Sequence, residues 1–251
     1  MPNMWRLVDS GLVSPPESAA LDDAMLEAHI AGEVPNTLHF YVRSQPTISV
    51  GYFQKISESV DAAEATKRGV AIVRRKSGGS SIFTDQGQLI YGLVVHESEL
   101  PSGRSGSFGI ICSAIARAIG SFGLDARYRP MNDVEIDGRK ISGNAQLRRK
   151  GSVLQHGTVI IHTDLEAMDA VLKADKSKNP SLSKPSDRVA SLSSLLGKAV
   201  SIDEVKRRVV SEFSKTFDVR FEKGTLTDSE RSILSRLVKE HYSRKEWNLK
   251  F

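Results

Sequence analysis

The segment RRKSGGSSIFTD, Arg74 to Asp85, constrains the fold more than any other, because it joins two apolar runs that read as strands. Val70 to Val73 precedes it and Leu89 to Val95 follows it. Gly78 and Gly79 lack a Cβ, so the backbone there can turn sharply or lie against a ligand. Two arginines come before the glycines, and Ser77, Ser80 and Ser81 surround them, a composition suited to anion contact. The segment matches neither GxGxxG nor GxxxxGKS/T, and Gly-Gly between strands is most often a simple turn.

Upstream, Trp5 to Val8 reads as a first strand. Ser14 and Pro15 then start a helix in which Leu21, Met25, Leu26, His29 and Ile30 recur at helical spacing, with His29 half-buried on its face. Thr37 to Arg43 alternates, with Leu38, Phe40 and Val42 on one side, and Thr47 to Val50 is a further strand ended by Gly51. A short helix spans Val60 to Lys67. Pro101 to Gly106 reads as a connector, with Ser107 capping a helix that carries Phe108, Ile111, Ile115, Ile119 and Phe122. Cys112 shares that apolar face and is expected to be buried and unreactive.

Asp133 to Ile136, Asp137-Gly138 and Arg139 to Ile141 form a predicted hairpin. Gly143 to Leu147 and Val153 to Ile161 supply further strands. Lys173 to Arg188 is the longest irregular segment and reads equally as a solvated connector or as a lid or binding loop. Ser201 with Glu204, and Thr227 with Glu230, are capping boxes ahead of two amphipathic helices. Strands dominate the middle and helices flank them, so the expected class is α+β with a mixed or antiparallel sheet.

With 39% hydrophobic and 26% charged residues among 251, the chain has the composition of a globular protein. No apolar run approaches the ~20 residues that cross a bilayer. The N-terminus lacks a signal-peptide pattern, so a cytoplasmic protein with no membrane partner is expected. One cysteine excludes an internal disulfide and any multi-cysteine metal site. The net charge of +5 comes from dispersed basic residues with only 6% aromatics, which argues against nucleic acid. It suits an acidic protein partner or an anionic nucleotide.

Three ordered motifs then carry a family resemblance. RRKSGG, NDVEIDGRKISGNAQ (Asn132 to Gln146) and LQHGT (Leu154 to Thr158) resemble the lipoate–protein ligase A family of the biotin/lipoate ligase superfamily. That family's pattern is RRxSGG(G)AVxHD, NDIxxxGRKISGSAQ and HGTLL. SVGYFQ (Ser49 to Gln54) and EWN (Glu246 to Asn248) are similar as well. The resemblance implies a single ligase-like catalytic domain over residues 1–251, without the C-terminal accessory domain. It implies activation of lipoate by ATP with Mg2+ and transfer to a lysine of a lipoyl domain. The acceptors would be lipoyl domains of 2-oxoacid dehydrogenase complexes or the glycine cleavage H protein, with a separate small accessory subunit as a further partner.

By the same resemblance Lys140 is the catalytic cation, contacting acyl carboxylate and phosphate. Ser80, Ser81, Asn132, Asp133, Lys140, Gly143 and Ala145 fall to the nucleotide, and Asp133 to the metal. Arg74, Arg75, Ser77, Gly78, Gly79 and His156 fall to lipoate. Read from the residues alone, Lys140 is a strand lysine, Asn132-Asp133 a turn dipeptide, and His156 equally a wall of the pocket or a hydrogen-bonded structural histidine.

Where the family has a third Gly and Ala this chain has Ser80 and Ser81, with Thr84 for a His and Ile90 for an Asn. These departures point at the acyl end. Two alternatives stay open: an ATP-independent octanoyl or lipoyl transferase, and a non-catalytic lipoate or lipoyl-domain binder. The cysteine transferases of the superfamily place their nucleophile shortly before the Asn132 block, where Leu124 to Met131 has no cysteine.

Overall fold

The computed structural model describes residues 3–174 and 183–251. Its strands are β1 (Asn3–Val13), β2 (Thr37–Arg43), β3 (Thr47–Val50), β4 (Ala71–Arg74), β5 (Ile82–Thr84), β6 (Gln88–His96), β7 (Arg127–Arg129), β8 (Asp133–Ile136), β9 (Arg139–Arg149), β10 (Ser152–Ile160) and β11 (Val219–Gly224). The helices are α1 (Pro15–Ile30), α2 (Ile56–Ser59), α3 (Ala62–Lys67), α4 (Gly103–Gly120), α5 (Leu165–Val171), α6 (Leu192–Leu196), α7 (Ile202–Phe217), α8 (Asp228–Leu237) and α9 (Lys245–Asn248). Strands β11-β1-β2-β6-β10-β9-β8-β7 form one sheet and β4-β3-β5 a second, smaller one. β1 runs parallel to both of its neighbours, while β2 onward pair antiparallel, so the large sheet is mixed as expected.

Both faces of the large sheet are covered. On one, Ile111, Ile115 and Ile119 of α4 and Val205, Val209 and Phe213 of α7 pack over Leu38, Phe40, Leu93 and Val153. On the other, Leu21 of α1 packs with Val13, Tyr41 and Ile90, and Met25 and Leu26 pack with Val8, Val94 and Leu154. Every residue of β2 is therefore buried, including the polar set His39, Tyr41 and Arg43 opposite Leu38 and Phe40.

Some local expectations need correction. The helix predicted from Ser107 begins at Gly103, with Ser102 at its cap position. Ser107 is buried within it and donates to the carbonyls of Gly103 and Arg104 at 3.0 and 2.9 Å, the back-bonding of an interior serine. The runs 139–141 and 143–147 are one strand, β9. Ser201 accepts from the Glu204 amide at 3.2 Å, but the Glu204 carboxylate turns to Arg208, so only half of that capping box forms. The Thr227–Glu230 box closes in both directions. His29 lies half-buried between Ser152 and Asn36. Of the irregular segment 173–188, residues 175–182 lie outside the described residues.

Candidate active site

A cavity of about 940 Å³ opens between the small sheet with its glycine loop and the α1-facing side of the large sheet. The loop owes its shape to Arg75, whose buried guanidinium donates to the carbonyls of Ser49 (2.8 Å), Gly78 (2.8 Å) and Ser80 (2.9 Å) and to Ser77 Oγ (3.1 Å). Burial, and then the charge of Arg43, pull its pKa down to about 10. Gly51 and Gly79 are the close approach that seats the loop. A Cβ on Gly51 would lie 1.9 Å from the Gly79 carbonyl oxygen, and Gly79 has φ +98°.

Consecutive residues of an extended chain face opposite ways, and Arg74, the last residue of β4, and Arg75 just beyond it diverge in this way. Arg75 lines the cavity, whereas the fully buried Arg74 does not. Arg74 donates to the carbonyls of Gly51 (2.9 Å), Tyr52 (3.1 Å), Gln54 (2.8 Å) and Lys250. The expected pair of cations at the acyl end is thus spent on main-chain carbonyls. One arginine folds the loop and the other ties in the C-terminal segment.

At the opposite end of the cavity sit Lys140 and Asp133, with Lys140 Nζ 2.7 Å from Asp133 Oδ1. Gly143 pairs with Asp133 across β8 and β9, and it lies three positions along the chain from Lys140. In a regular strand that offset would put Lys140 on the other face. A bulge between Val134 and Glu135 shifts the register so that Glu135 meets Lys140, and the extra residue turns the lysine back. Its side chain then lies over Gly143, where a Cβ would be 2.2 Å from Lys140 Cε and Nζ. The glycine makes room for the lysine itself. Asn132 and Asn144 clamp the turn ahead of Asp133, each side-chain amide donating to the other's carbonyl.

Between the two ends, His156 Nε2 lies 2.7 Å from Ser77 Oγ and His156 Nδ1 lies 2.6 Å from Asp22 Oδ2. Arg75 Nε can only donate, so Ser77 Oγ accepts from it and is free to give its own proton to His156. Nδ1–H then points at Asp22. This fixes the tautomer and completes a serine–histidine–carboxylate relay.

Arg75, Ser77, Gly78, Gly79, Ser80, Ser81, Asn132, Asp133, Lys140, Gly143, Ala145 and His156 all line this one cavity, as do the departures Thr84 and Ile90. The sequence reading missed Asp22, Tyr41 and Arg43. An acid amid the apolar stripe of α1, and a polar alternate face on β2, were the signals available. Cys112 is absent from the lining, and burial pushes its thiol up to about 12.

A family model described as the lipoyl protein ligase A/B catalytic domain matches residues 14–214. The chain belongs to the lipoyl protein ligase A/B family. It is 31% identical to an octanoyltransferase LipM of Anoxybacillus flavithermus, over 98% of both chains. The archaeal bipartite lipoate protein ligase of Thermoplasma acidophilum superposes with a TM-score of 0.86 at 32% identity, covering 98% of this chain and 96% of that one. A lipoate-protein ligase A bound with ATP gives 0.85 at 29% identity, covering 99% of each. The chain is thus an enzyme of the lipoyl ligase and transferase family. Among the described residues no helix is long and apolar enough to cross a membrane.

Proposed function

We propose that this chain is the catalytic unit of a lipoate–protein ligase. It would form lipoyl-AMP from lipoate and ATP and pass the lipoyl group to a lysine of a lipoyl domain. The observation that carries this reading is Lys140, held by Asp133 and folded over Gly143 inside the cavity. A carboxylate oxygen attacking the α-phosphorus brings two anions together as pyrophosphate leaves. A placed ammonium offsets that charge, and one such donor contributes about 2.7–4 kcal/mol. In the second step the acceptor amine attacks the acyl carbonyl and AMP leaves.

Asp133 would offer one ligand to Mg2+, which typically takes one or two carboxylates with phosphate oxygens and water. When bound, the metal neutralises phosphate charge. The likeness to the bipartite Thermoplasma ligase, solved with its E2 lipoyl domain, supports a separate accessory protein and a lipoyl-domain acceptor.

The test is pyrophosphate release with ATP, Mg2+ and lipoate, with and without an accessory protein. Lys140→Ala is expected to lower it at least ~100-fold. Unchanged release from that variant would remove the assignment.

A second reading, acyl transfer from a thioester without ATP, has the relay in its favour. Its nucleophile would be Ser77, because the single cysteine, Cys112, is buried with a raised pKa. Transfer from an acyl carrier protein without ATP, lost in Ser77→Ala and retained in Cys112→Ser, would establish it over the ligase.

A further inference from the structure

Met131 and Phe53 are the most exposed large apolar side chains among the described residues, at 80% and 79%, and both line the cavity that holds Lys140. Side chains so open to solvent can line a cavity only at its mouth. Scattered exposed hydrophobics are ordinary on a protein surface. These two differ in sharing one rim and in standing on turns that are pinned from within.

Phe53 sits in the turn 51–54, between β3 and α2, which the Gln54 amide closes by donating to the Gly51 carbonyl at 3.0 Å. The buried Arg74 guanidinium holds the carbonyls of Gly51, Tyr52 and Gln54. The Phe53 ring meets Tyr52 edge-on with centroids 4.7 Å apart, and Tyr52 in turn lies 5.8 Å from Trp247. Met131 sits in the turn between β7 and β8, where its carbonyl accepts from the Tyr128 hydroxyl at 3.3 Å. The Asn132–Asn144 clamp follows it directly. Turns fixed in this way have little entropy left to lose on binding, which suits them to carry apolar anchors of an interface.

Charge indicates the kind of partner. The carboxylates on the cavity lining are Asp22, Asp23 and Asp133, and each already faces a partner in His156, Lys76 and Lys140. Arg104, Lys184 and Arg188 line the same cavity and form no ion pair among the described residues. Arg104 and Lys184 are exposed and Arg188 is half-buried. The mouth thus combines two apolar anchors with unpaired positive charge, the complement of an acidic surface. In the second step read above, an acceptor lysine must reach a carbonyl held beside Lys140. The protein that carries this lysine therefore has to cover the mouth.

We propose that Phe53 and Met131 are the docking anchors for the acceptor protein, an acidic domain that offers its lysine from a protruding turn with an apolar side chain beside it. This rests on the acceptor reading above and adds to it the surface that recognises the partner. The anchors serve the second step, so their loss raises KM for the acceptor protein and leaves pyrophosphate release unchanged.

The probe is the unmodified lipoyl domain of a 2-oxoacid dehydrogenase, titrated calorimetrically into the full chain. Phe53→Ser and Met131→Ser are each expected to weaken binding roughly tenfold or more, the loss at an interface anchor. Arg104→Glu should weaken it most at low salt. Leu12→Ser, at a side chain 66% exposed on β1 and outside the cavity lining, should change nothing. A wild type that does not bind the domain, unchanged affinity in the folded anchor variants, or an equal loss in Leu12→Ser would overturn the proposal. Pyrophosphate release is measured on the same proteins. Binding that depends on the anchors, without release from the wild type, would keep the docking surface and remove the ligase. Release with binding indifferent to the anchors would do the reverse.

Discussion

Gly143 and Lys140 are three residues apart and act as one unit. A methyl at residue 143 would occupy the space of the Lys140 ammonium, which sits at the end of a flexible chain and can move. Gly143→Ala is therefore expected to fold with a melting temperature close to wild type. It should lower pyrophosphate release by roughly tenfold to a hundredfold, the cost of an ångström-scale misplacement. Thermal unfolding and initial rates on the same preparation check both halves. His39 gives a second residue-scale prediction. Burial pulls its pKa down to about 4, against the pull of Asp22. The unfolded chain thus binds a proton at higher pH than the folded one. The associated stability is complete above an ordinary histidine pKa of ~6.5 and is lost as pH falls toward about 4. In His39→Phe, urea unfolding across that window should lose this part of the acid sensitivity.

At the scale of elements, strand ends and loops are joined by side chains that reach main-chain carbonyls. Arg74 leaves β4 to bind the turn after β3 and the carbonyl of Lys250, and Trp247 of α9 returns a bond to the Arg74 carbonyl at 2.8 Å. Asn248 accepts from the Arg74 amide at 3.0 Å. Arg74→Met removes the charged donor and leaves several buried acceptors unmet. It is expected to cost on the order of 3 kcal/mol, read as a lower urea midpoint at unchanged slope. The same elements bear the glycine loop, so acyl binding should weaken along with stability. This separates Arg74 from Lys140, whose removal should leave stability nearly intact because its ion pair is partly exposed.

For the whole molecule, the surplus of 35 basic over 30 acidic residues bears on encounter rather than on chemistry. If the acceptor is an acidic lipoyl domain, raising ionic strength from about 0.05 M to about 0.5 M should lower kcat/KM for that domain roughly tenfold, with adenylate formation unchanged. Steady-state rates with the protein acceptor and with a free amine would show the difference. Much of the architecture was legible from local pattern. The alternation of β2, the Asp-Gly turn and the helical stripe of α1 each depend on neighbours in sequence, and so do the motifs that carry the family. Local pattern could not reveal that β2 is buried on both faces, because that depends on α1 and the small sheet arriving from elsewhere in the chain. Nor could it separate Arg74 from Arg75, since only packing decides which side of a strand meets carbonyls and which meets a cavity. The chain by itself thus determined the elements and the residues that gather at the site. Tertiary structure decided their aim: one bulged residue in β9 turns Lys140 into the cavity, and packing on β2 places Tyr41 and Arg43 in its wall.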